Sequence, residues 1–138
     1  MTEPTKVDFR HRRVSEIEDI TDLVGMLFPG NANQQHAAAR ILLALKASSE
    51  PMASMSHLER DYSISRRTLQ RARAKLARLG LIEHVSFLNA RYGGQHGWKL
   101  SSRMSTALRQ LADRTDDWRR DMRPERREKD ERLVGVLR

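Results

Sequence analysis

Cysteine is absent from this sequence. Its absence excludes disulfides and thiolate metal sites, and it fits a cytosolic setting. No apolar run approaches the roughly 18 residues of a membrane-spanning helix. The stretch from Met1 to Arg13 is polar, without an apolar signal core, so no secretory leader is expected. His11, His36, His57, His84 and His96 show no metal-ligand spacing. No serine or other nucleophile stands in a catalytic context, so neither an enzyme nor a cofactor is expected. Internal repeats are missing too.

What the chain does hold is positive charge in one place. The 138 residues carry a net +8 and a pI near 10.7. Residues 63–79 include Arg66, Arg67, Arg71, Arg73, Lys75 and Arg78 and no acid. That one segment therefore carries +6, leaving +2 for the rest of the chain. A basic stripe focused on one predicted helix is the electrostatic footprint of a surface that meets a polyanion.

The pattern around that stripe predicts a mainly α chain with a small β-hairpin. Residues 1–14 read as a flexible arm. Ser15-Glu16-Ile17-Glu18 fits a capping box, which predicts an amphipathic helix over 15–28, ended by Pro29-Gly30. Asn31 or Asn33 caps a second helix, with Ala37, Ala38, Ile41, Leu42 and Leu45 on its buried face. Pro51-Met52-Ala53 reads as a short extended piece. Ser56-His57-Leu58-Glu59 fits another capping box and opens a short helix to Tyr62. Ser63-Ile64 is a tight turn, and Ser65 caps a helix over 65–79. Its buried face is Leu69, Ala72, Leu76 and Leu79, and Gly80 stops it. Residues 81–87 and Trp98-Lys99-Leu100 read as strands around a turn-rich tip. There Gly93-Gly94 is a hairpin turn rather than a phosphate cradle. Ser101 or Ser102 caps a last core helix over 102–118, with Met104, Leu108, Leu111 and Trp118 inward. Residues 119–138 form a charged tail that is a solvated helix, a DNA arm or a partner-binding segment.

The stretch from Ser56-His57-Leu58-Glu59 through Ser65-Arg66-Arg67-Thr68-Leu69 to Leu79-Gly80-Leu81-Ile82 resembles the winged helix-turn-helix superfamily. MarR-like and GntR-like bacterial regulators carry this pattern, and Trp98-Lys99-Leu100-Ser101 is similar to the segment that closes their wing. The resemblance covers about residues 33–118. It implies a winged helix-turn-helix domain over 15–118 with an additional N-terminal helix and a C-terminal helix. It implies sequence-specific binding of double-stranded DNA, with helix 65–79 in the major groove and hairpin 81–100 as wing. Plasmid and phage replication initiators carry similar domains, so a replication or partition role stands as the alternative to transcription regulation. Either role implies a cytoplasmic, nucleoid-associated protein.

Arg67, Gln70, Arg71 and Ala74 fall at spacings that make one stripe on a helix. Arg67, Gln70 and Arg71 are the expected readers of base edges, since arginine bonds guanine and glutamine bonds adenine in bidentate fashion. Ser65, Arg66, Thr68 and Lys75 are the expected phosphate contacts. Arg91 and His96, near the hairpin tip, suit either a minor-groove contact or an exposed loop. A homodimer is expected, burying Ile20, Val24, Leu27, Phe28, Leu108 and Leu111 between two chains. The alternative is that helix 15–28 closes its own core. A small-molecule effector is left open, and no residue argues for one.

Overall fold

The computed structural model describes residues 5–86 and 96–137. Among the described residues, seven helices and one hairpin run in the order α1 (His11–Ser15), α2 (Ile20–Leu27), α3 (Ala32–Ala47), α4 (Ser56–Asp61), α5 (Arg66–Leu79), β1 (Ile82–Val85), β2 (Gly97–Leu100), α6 (Arg103–Arg120) and α7 (Pro124–Gly135). The chain divides into two compact units, Met1–Met104 and Ser105–Arg138. The class is mainly α with a small antiparallel hairpin.

In the first unit the core is built where the helical spacing puts apolar residues on one side. Helix α3 buries Ala37, Ala38, Ile41, Leu42 and Leu45. Helix α5 buries Leu69, Ala72 and Leu76, with Leu79 half-buried at its end. The two helices pack on each other, and α2 closes the far side with Val24, Met26 and Leu27. Phe28, Leu27, Ile41, Leu76 and Ile82 are the largest fully buried side chains. No polar side chain among the described residues is buried with them, so burial of apolar surface is the dominant stabilising term in this unit.

Caps and turns set where the elements begin and end. The Ser65 hydroxyl accepts the Thr68 amide at 3.1 Å and starts α5. Gly80, at φ +87°, ends it, and the Leu81 amide reaches back to the Leu76 carbonyl at 3.0 Å. A side chain at Gly80 would meet the Met104 backbone nitrogen at 2.8 Å, so the start of α6 rests directly on this turn. Asn31 caps α3 through the Gln34 amide. Ser63 takes the left-handed conformation in the turn between α4 and α5.

Strands β1 and β2 pair antiparallel, with Ile82 opposite Leu100 and Val85 opposite Gly97. Met52 adds an isolated bridge to Trp98, through two backbone hydrogen bonds of 2.9 Å. The expected extended piece at Pro51–Ala53 is thus tied to the hairpin base.

Several expectations are corrected. The Ser15 capping box does not form, and no helix spans 15–28. The hydroxyl of Ser15 donates to the Arg12 carbonyl instead, and α1 ends at Ser15. Asp19 caps α2 through the Asp22 amide, while the Asp22 carboxylate accepts the Glu18 amide. The two carboxylates thus cap this end four residues further on, with Asp22 reaching past the cap residue to the amide before it. The Ser56 box also fails. Buried Met55 takes the cap position of α4, and the Ser56 amide donates to the Ser54 hydroxyl. Part of the expected arm is tied down: Val7 lies against the core, and the Asp8 amide donates to the Met26 carbonyl at 2.8 Å, while Lys6, Phe9 and Arg10 are exposed.

The expected core helix over 102–118 is also corrected. Met104 packs against the core, but α6 buries no residue, and Leu111 and Trp118 stand 58% and 56% exposed. In the second unit the charged tail is helical over α7, which opens on Pro124 and buries nothing. The Trp118 indole nitrogen donates to the Asp130 carboxylate at 2.8 Å.

Candidate nucleic-acid interface

Helix α5 carries its cations on two different faces. Arg66, Arg67, Gln70, Arg71 and Ala74 are exposed, on the side away from Leu69, Ala72 and Leu76. Among the described residues, no ion pair involves an arginine of this helix. The exposed face is therefore an uncompensated cationic surface on a rigid, core-anchored rod. At its start, the amides of the first turn lack helical acceptors and add positive potential. Ser65 and Thr68 are partly used by the fold itself, since the Ser65 hydroxyl also donates to the Thr68 hydroxyl at 2.8 Å. A polar crevice of about 190 Å³, lined by Asn33, His36, Ser63, Ser65 and Thr68, opens beside this end.

The other three cations are turned to the flanks. The Arg73 guanidinium lies 5.0 Å from the Trp98 ring centre, which couples α5 to β2. The ammonium of Lys75 stands 4.6 Å over the Phe28 ring and donates to the Lys6 carbonyl at 2.6 Å. Burial there pushes its pKa down, and neighbouring Arg78 adds to the effect. Arg78 reaches the Thr5 hydroxyl at 3.4 Å. The helical stripe sets Lys75 among the phosphate contacts at its edge. It could not show that residues 5–8 cross this flank.

No family model, curated protein or solved structure matches the chain. What the surface can do is therefore read from its own chemistry. Three exposed arginines and a glutamine, Arg66, Arg67, Gln70 and Arg71, gather on one ridge about one and a half turns long. That ridge offers forked donors for phosphate or guanine and an amide for adenine.

The hairpin stands beside α5. Exposed His84 packs edge-on against Trp98 at 5.1 Å and lies 6.5 Å from exposed His96, centre to centre. The expected contact at Arg91 lies outside the described residues. No group of His, Asp or Glu among the described residues is arranged to hold a metal ion. No described helix is long and apolar enough to cross a membrane.

Glu83 was not singled out by sequence, yet it fixes the hairpin base. Its carboxylate accepts from the Ser101 hydroxyl at 2.6 Å and pairs with Lys99 and Arg103, each at 3.4 Å. The Ser101 hydrogen bond, helped by the two cations, holds its pKa below the ordinary 4.5 against the opposing effect of burial. A carboxyl with a lowered folded-state pKa stabilises the fold above its unfolded value. That contribution is lost as pH falls through the folded value. Glu83→Gln is expected to lower the urea midpoint at pH 7, with the gap to wild type closing below about pH 4. A gap that persists unchanged at pH 3 would contradict this account.

Burial places the expected α2 contacts as follows. Val24, Leu27 and Phe28 lie in the chain's own core, and Ile20 packs against it. Val24, Leu27 and Phe28 thus pack within their own chain, as the alternative reading of this segment expects, while Ile20 stays half-buried. Leu108 is half-buried and Leu111 exposed.

Proposed function

We propose that this chain binds double-stranded DNA in a sequence-specific manner, as a winged helix-turn-helix transcription regulator. Helix α5 lies in the major groove, and the β1–β2 hairpin rides beside it as the wing. The observation that carries the reading is the uncompensated ridge of Arg66, Arg67, Gln70 and Arg71 over a buried Leu69, Ala72 and Leu76. The order α3, Met52 bridge, α4, α5 and hairpin supports it, because this is the arrangement a winged helix requires.

In this reading Arg67, Gln70 and Arg71 contact base edges. Arg66, Ser65 and Thr68 at the start of the helix contact phosphates, where side-chain and first-turn donors act together. Lys75 serves the fold more than the ligand. Regulation follows from occupancy: the bound protein excludes or recruits polymerase at a site set by those base contacts. The interface is electrostatic, so affinity falls with salt by a slope of about 0.9 per neutralised phosphate.

Selection of duplexes from a random pool by the full chain tests this. The expected result is one enriched motif whose binding weakens steeply with salt. A pool that stays random after repeated rounds would overturn the proposal.

A further inference from the structure

Leu108, Leu111, Thr115 and Trp118 recur along α6 at spacings of 3, 4 and 3 residues, the spacing of a coiled-coil seam. Arg109, Asp113, Asp117 and Arg120 occupy the opposite side. A helix with this pattern normally buries its apolar stripe, yet α6 buries no residue. Trp118 is half provided for: its indole N–H is satisfied by Asp130, while 56% of the residue remains exposed. That combination, a fixed polar edge and an open apolar face, suits a contact surface.

We infer that a second copy of this chain covers the seam, with two α6 helices packed antiparallel about a two-fold axis that crosses the seam midway between Leu111 and Thr115. The seam is complementary to itself under that operation. Leu108 meets the partner's Trp118, and Leu111 meets the partner's Thr115, in both directions at once. Charge selects the orientation. Parallel packing sets Arg114 against the partner's Arg119 twice, and stacks Trp118 on Trp118 and Thr115 on Thr115. Antiparallel packing leaves a single Arg114 pair, and small Ala112 faces Ala112 near the axis. The large Trp118 is then balanced by a leucine.

This inference does not rest on DNA binding and is tested without DNA. Light scattering on the full chain is expected to approach twice the 16.0 kDa chain mass as concentration rises. Leu111→Glu is expected to return the single-chain mass while the thermal midpoint of the core is unchanged. The absence of native cysteine permits a direct test of orientation. Leu111→Cys and Thr115→Cys chains, mixed and oxidised, are expected to link to each other in preference to themselves. A chain that stays monomeric at millimolar concentration overturns the inference. So does a dimer that survives Leu111→Glu, or self-linking that exceeds cross-linking.

Discussion

The double variant Arg67→Ala/Arg71→Ala is expected to lose roughly 2–6 kcal/mol of affinity for the selected duplex, from about 1–3 kcal/mol per base-reading arginine. The two side chains stand one turn apart on the exposed face of α5. Their losses should add only approximately, since neighbours on one ridge share the same stretch of groove. Preference should relax at the positions they read, while weak binding to random duplex persists through Arg66 and the helix start. Stability should hardly change, because surface substitutions without buried partners shift it by only about 0.5 kcal/mol. Competition binding against selected and scrambled duplex separates these effects. A double variant with the wild-type ratio of affinities would remove both arginines from the base contacts. Arg66→Ala should behave differently, weakening all duplexes alike and reducing the salt slope by about one.

Gly97→Ala is expected to unseat the hairpin. Gly97 sits at φ +145°, and a Cβ there would lie 2.5 Å from both the carbonyl carbon and the oxygen of Met52. Those atoms are backbone, and the same carbonyl accepts the Trp98 amide at 2.9 Å. Relief therefore requires Met52 or β2 to move, breaking a pair of hydrogen bonds. Strain of about 1–3 kcal/mol in the backbone adds to about 0.5–1.5 kcal/mol for each bond lost. The urea midpoint should fall accordingly, and amide exchange at Met52 and Trp98 should accelerate. An alanine variant with wild-type stability and protection would show that the close approach is not required.

The parts legible in the sequence were those decided locally. Ser65 and Gly80 bracket α5 as their chemistry dictates, and the 3.6-residue spacing named the buried faces of α3 and α5. The two capping boxes misled because a three-residue pattern has local rivals. At the first, the run Asp19 to Asp22 offers two carboxylates directly ahead of the apolar stripe. At the second, burial of Met55 fixes the helix start and leaves Ser54 to serve the Ser56 amide. Lys75 and α6 show a further limit. Periodicity tells which face of a helix is apolar or basic, but not what lies against it. For Lys75 the neighbours are Lys6 and Phe28, distant in the chain. For α6, no seam residue is fully buried by the described residues of the same chain. Glu83 was invisible for the same reason, since its partners gather only when β1, β2 and the start of α6 meet.

The chain's two tryptophans occupy different surfaces. Trp98 sits between Arg73 and His84, beside the basic ridge. Trp118 lies on the α6 seam and is held by Asp130. The molecule therefore contains two intrinsic emission probes, one for each proposed event. With Trp118→Phe the remaining signal reports ligand arriving at α5, and with Trp98→Phe it reports association of chains. Quenching titrations on these two single-tryptophan proteins separate, without any attached dye, whether the chains pair before they meet nucleic acid or only upon it.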